Sequence, residues 1–102
     1  MLTLSNILFD YPFEKDYLAF GLDAQERIDQ ILVEIMQESI FPPPWVMLSK
    51  QVIGFYGIVV PFTPNDIGLL ARLEESSLVI MRAIDFGKDG DFTQQNPEMF
   101  LT

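Results

Sequence analysis

The side chains best able to do chemistry in this sequence are carboxylates. Asp85, Asp89 and Asp91 surround Gly87 and Gly90, and oxygen-rich turns with glycine are what a hard cation such as calcium needs. The spacing is not the D-x-D-x-D-G of a calcium-binding helix-loop-helix, and no glutamate follows at the closing position, so an ordinary turn is expected. Asp85-Phe86-Gly87 also spells the magnesium-binding tripeptide of protein kinases. The glycine-rich loop and catalytic loop that give that tripeptide its meaning do not accompany it. Paired carboxylates could run acid/base hydrolysis if one lay in an apolar pocket beside a second that stays ionised. Asp85 is the acid closest to that requirement, set in an apolar strand with Met81 and Ala83 on its own face and Arg82 on the other. A strand end or an ion pair explains it more simply.

Other routes to catalysis are closed. The chain has 102 residues with neither His nor Cys, so it offers no imidazole base, thiolate nucleophile, Cys/His zinc site or disulfide. No phosphate-cradling loop or nucleophile elbow is present. No enzyme and no cofactor are expected, and a small enzyme using carboxylates alone is the weakest of three hypotheses.

Charge narrows the partners. Asp and Glu number 15 against 6 Lys and Arg, for a net charge of −9. Residues 1–41 hold 8 of the acids against Lys15 and Arg27, and so carry most of the excess. Phosphate neutralisation needs clustered cations, and an anionic membrane surface would repel this chain, so neither direct nucleic-acid binding nor membrane binding is expected. If electrostatics select a partner, it presents a basic surface.

The elements that must position these residues form one domain over 1–102. A helix is expected from Asp23, with Asp23 as N-cap and Glu26 reaching back, and with Ile28, Ile31, Leu32, Ile35, Met36 and Ile40 on one stripe. Glu26, Asp29, Gln30, Glu34, Gln37 and Glu38 take its outer, acidic face. Pro42-Pro43-Pro44 ends it near Phe41. Strands follow from Trp45 to Val60, where 52–60 is apolar on both faces and reads as a central strand interrupted by Gly54 and Gly57. Thr63-Pro64-Asn65-Asp66 predicts a second helix start, continued by Ile67, Leu70, Ala71 and Leu73 to about Glu75. Leu78 to Phe86 predicts a strand with Leu78, Ile80, Ile84 and Phe86 on one face, ending in a hairpin-type turn at Lys88-Asp89-Gly90 and a short return strand from Asp91. Residues 1–22 fit strand or helix around a break at Tyr11-Pro12. The sum is an α+β domain with two helices packed on a small, mostly antiparallel sheet.

A domain this small hides only about two thirds of its surface, and 49% of these residues are hydrophobic. The surplus predicts an exposed apolar face for a partner, or for a second copy in a homodimer. No apolar run reaches the length of a membrane span, and the start MLTLSNILFD lacks a basic region. The chain therefore reads as neither membrane-bound nor exported, with the cytoplasm as its default location.

The first functional hypothesis is a non-catalytic protein-binding module, an adaptor, assembly factor or small regulator, with an apolar and aromatic surface beside an acidic flank. Its candidate partner-binding residues are Phe41, Trp45, Phe55 and Tyr56, with Asp29, Glu34 and Glu38 as the flank. Phe41 and Trp45 bracket the three prolines and could form a stiff aromatic ledge, or could simply cap the core. The alternative is an acidic inhibitor of the phage-encoded or immunity type that blocks a basic nucleic-acid-binding groove of its target. The tail Asn96-Pro97-Glu98-Met99-Phe100 resembles a short linear motif, though a fraying terminus has the same composition.

Overall fold

The computed structural model describes residues 3–38, 40–48 and 53–90. In chain order these form β1 (Asn6–Phe9), α1 (Tyr11–Ala19), α2 (Leu22–Gln37), β2 (Val46–Leu48), β3 (Phe55–Val60), β4 (Ile67–Glu74), β5 (Ser77–Asp85) and α3 (Phe86–Asp89). The strands make one mixed sheet in the order β1-β5-β4-β3-β2. β1 runs parallel to β5, and the other three pairings are antiparallel. The segment holding α1 and α2 therefore carries the chain from one edge of the sheet to the other, and both helices pack on one face. This is the α+β class expected, with a mostly antiparallel sheet.

The core lies between that face and the helices. From α2 it takes Ala24, Ile28, Ile31, Leu32 and Ile35, from α1 it takes Phe13, and from the sheet it takes Ile58, Val60, Ile67, Leu69, Ala71, Leu78, Ile80 and Ala83. The stripe read from α2 is thus the buried one, except that Met36 and Ile40 remain 40% and 47% exposed. The helix ends at Gln37 rather than near Phe41, because Glu38 is already extended (φ −70°, ψ 139°). Its start also differs. Gly21 is the N-cap, Asp23 lies within the first turn, and no side chain caps the helix. Asp23 still faces the positive end of the dipole, without the reciprocal bond to Glu26. The amide of Gln25 instead donates from its side chain to the Tyr17 and Phe20 carbonyls, at 3.1 and 3.0 Å, and so satisfies the end of α1.

Two expectations fail along the sheet. Residues 67–74 are a strand, not a helix. Ile67, Leu69 and Ala71 alternate onto the core at 1%, 0% and 1% exposure, a period of two that the helical reading obscured by passing over Leu69. Asp66 does not serve a helix start, since its Oδ1 accepts from the Phe62 amide at 3.2 Å. The second correction is a register shift between Leu70 and Ala71, opposite Arg82 and Ile80. This bulge changes which side chains of β5 face the helices. Leu78 and Ile80 point into the core, but beyond the bulge Ala83 takes that side. Ile84 joins Met47, Val59, Leu70 and Phe86 on the opposite face.

β3 is apolar on both faces, as read, and lies between β4 and the three-residue β2, one place in from the edge. Gly54 precedes it at φ +90°, a backbone conformation that L side chains resist, while its carbonyl accepts from the Leu73 amide at 2.6 Å. The expected hairpin turn at 88–90 is replaced by the single helical turn α3, which Asp85 caps by accepting from the Gly87 amide at 2.9 Å. Asp89 accepts from the Asp85 amide at 3.3 Å. Two of the three candidate calcium ligands thus engage the turn itself. Asp91, the return strand and the tail motif lie outside the described residues.

Candidate functional site

α1 begins in the stretch before Asp23, whose residues fit helix or strand. Pro12 occupies its first turn, where a missing amide costs nothing, and Asp10 stands at the N-cap. Asp10 makes no side-chain cap bond. Its carboxylate receives Arg72 of β4 instead, at 2.6 and 3.4 Å, and Arg72 also donates to Glu74 at 2.9 Å. Six residues on, Asp16 accepts from Arg82 at 2.6 and 3.1 Å and from the Ala83 amide at 3.0 Å. These two clamps fix α1 against the sheet. Hydrogen bonds to Asp10, then to Glu74, raise the affinity of Arg72 for its proton, and the bonds to Asp16 do the same for Arg82.

With α1 fixed, Phe9, Phe13 and Tyr17 form a row of rings. Phe9 and Phe13 stack with centroids 5.2 Å apart, and Phe13 meets Tyr17 at 5.8 Å. The Tyr17 hydroxyl donates to both carboxylate oxygens of Asp29 on α2, at 2.9 and 3.0 Å. Between the helices lies a furrow of about 430 Å³ whose lining includes these rings, Leu18 and Leu32, with Glu14 and Asp29 on it as well. Phe13 and Leu32 are buried, Phe9 is 46% exposed and Leu18 is 75% exposed.

Burial, reinforced by the bond to Asp29, holds the Tyr17 hydroxyl above its ordinary pKa of 10.0, and burial alone raises that of Tyr56. The folded chain keeps these protons to higher pH than the unfolded chain does. Their contribution to stability is therefore complete below about pH 10 and is lost as pH rises through the folded values. Replacing Tyr17 with Phe should flatten that alkaline loss. Urea midpoints at about pH 8 and 11 measure it, and an unchanged slope would show that Tyr17 titrates as freely folded as unfolded.

The residues named from sequence fall in separate places. Phe41 is 2% exposed and meets Tyr56 edge-on, with centroids 5.0 Å apart. Both rings belong to the core and its margin. Phe55 is half-buried and opens β3, one residue before the core-packed Tyr56. Trp45 is 39% exposed and lines a separate depression of about 330 Å³ with Arg27, Ile31, Glu34 and Pro61. Arg27 reaches across to donate to the Pro61 carbonyl at 3.0 Å. Asp29, Glu34 and Glu38 are exposed on or just past α2, as is Glu26. Among the described residues, no Lys or Arg forms an ion pair with any of these four acids. The structure brings Asp29 to the furrow and Glu34 to Trp45, and it withdraws Phe41 from the surface.

The furrow itself was not read from the sequence. Its signal was the i, i+4 pair Phe13 and Tyr17 behind Pro12, on a short helix that the two arginine clamps from β4 and β5 hold in place.

Among the described residues no helix is long and apolar enough to cross a membrane. No protein-family model matches the chain, and neither does any curated protein. Solved structures do share its fold. In the RelB–RelE antitoxin–toxin complex from Methanococcus jannaschii, one chain matches with a TM-score of 0.59 and 17% identity, covering 78% of this chain and 91% of that one. In the intact E. coli RelBE toxin–antitoxin complex the TM-score is 0.58 and the identity 14%, covering 76% of this chain and 90% of that one. The TM-scores establish a common fold, and at these identities the likeness extends to the fold alone.

Proposed function

We propose that this chain is a non-catalytic protein-binding regulator, an adaptor or assembly factor that works in the cytoplasm by holding another protein. The observation that carries the reading is how the charges are distributed. Arg72 and Arg82 are neutralised by ion pairs to Asp10, Glu74 and Asp16, while Glu26, Asp29, Glu34 and Glu38 face solvent on or just past α2. Exposed Leu18, Val33 and Trp45 lie among or beside those acids. Apolar contact area with a charged flank is how protein interfaces obtain both affinity and partner choice. A sequence without His or Cys supports a role outside catalysis. The occurrence of this fold in antitoxin–toxin complexes supports the binding of another protein. The outer sheet face around Ile84 is where a homodimer would form.

The same exposed acids favour a second reading, an acidic inhibitor laid into the basic nucleic-acid groove of its target. Affinity capture from native lysate with the full chain, followed by reconstitution from purified components, tests the shared premise. The expected result is one protein that re-forms a stoichiometric complex. Recovery of nucleic acid alone, or of no protein that rebinds when pure, overturns it.

A further inference from the structure

We infer that the furrow between α1 and α2 receives a partner segment that presents adjacent large apolar side chains flanked by Lys or Arg. This rests on the protein-binding reading above and adds the place and the chemistry of the partner. The furrow, at about 430 Å³, is of the size that accepts a small ligand or a few side chains. Its floor is Phe13 and Leu32, both buried, and its walls are Phe9 and Leu18, both large and exposed. Stacking on Phe13 fixes Phe9, and the Tyr17 hydroxyl fixes Asp29, so little side-chain freedom is lost when the furrow fills.

Charge decides among occupants. Among the described residues, Glu14 and Asp29 are the ionisable groups on the furrow besides Tyr17, and Lys15, the cation on α1, lies 5.8 Å from the Tyr11 ring centroid. Carboxylates at the margin of an apolar site attract cations and repel anions. A second copy of this chain, at −9, and its own tail, with Asp91 and Glu98 and no cation, are therefore poorer occupants than a basic, apolar segment of another protein.

The test uses the full chain and three synthetic peptides of equal length. One is an amphipathic Leu/Lys peptide, one carries the same leucines with Glu in place of Lys, and one carries the same lysines with Ser in place of Leu. Calorimetric titration should show saturable one-to-one binding for the Leu/Lys peptide alone, with amide shifts at Phe13, Leu18, Asp29 and Leu32. Leu18→Glu, at an exposed position that leaves the fold intact, should weaken binding by about tenfold or more. Glu14→Gln with Asp29→Asn should weaken it about threefold. Asp23→Asn with Glu75→Gln, the same change in charge away from the furrow, should leave it unchanged.

Failure of the Leu/Lys peptide to saturate overturns the proposal. So does equal binding of either other peptide, an equal loss from the remote pair, or shifts centred on the outer sheet face. If a reconstituted partner complex exists while the furrow stays empty, only the site is wrong. If no partner exists while the peptide seats, the protein-binding role is wrong and the furrow stands as a peptide site.

Discussion

Replacing Phe41 with alanine lowers folding stability by about 3–5 kcal/mol, the cost of emptying a buried aromatic site. Phe41 is 2% exposed and its ring packs edge-on against Tyr56, which adds to the area it buries. For a domain of this size the loss corresponds to a fall in Tm of more than about ten degrees. Trp45, four residues on, behaves differently. It is 39% exposed, so Trp45→Ala costs roughly 1–2 kcal/mol and leaves a folded domain on which partner affinity can be read. Urea denaturation of the two variants separates their roles. Equal losses would place Trp45 in the core with Phe41 and remove it from the binding surface.

Leu69→Ala is the second large effect, at about 2–5 kcal/mol. Leu69 is fully buried on β4, paired with Ile58 on one side and Ala83 on the other. Leu70, its neighbour, faces the opposite side of the sheet with Ile84 and is only half-buried, so Leu70→Ala should cost less than half as much. The contrast is specific to a strand. On the helix read from sequence, Leu70 belonged to the buried stripe and Leu69 did not. A larger loss from Leu70→Ala would therefore contradict the strand.

What the sequence shows clearly is what depends on near neighbours. α2 was legible because its stripe repeats over four turns and the prolines forbid its continuation. β5 was legible as a strand from its β-branched and apolar run, but the bulge at its centre was not. The bulge is a property of how Arg82 and Ile80 register against β4, which no local pattern contains. β4 was misread because Thr63 to Asp66 carries strong helix-start residues, and these were outweighed by a sheet that needed Leu69 on one face and Leu70 on the other.

The candidate site divides the same way. The acids of α2 follow from helical spacing, and the structure puts them in solvent. The furrow requires α1, and α1 is held by Arg72 on Asp10 and Arg82 on Asp16, pairs separated by 62 and 66 residues. Contacts at that range are invisible to spacing. Of the two rings that could form a ledge or cap the core, Phe41 lies in the core at 2% exposure and Trp45 is 39% exposed. The chain leaves α2 at Gln37, early enough for Phe41 to turn inward while Trp45 stays at the surface.

The most direct test of a protein-binding role with an acidic flank is the salt dependence of the rate constants of the reconstituted complex. Charges that steer an apolar contact act on encounter, and the exposed acids of α2 are screened within a Debye length of about 10 Å at 0.1 M salt. From low to high salt, association should slow by about tenfold while dissociation stays nearly constant, and the complex should persist. A collapse in affinity carried mainly by faster dissociation would contradict this account, because the acids would then supply the affinity itself and the chain would be a charge mimic lying in a basic groove.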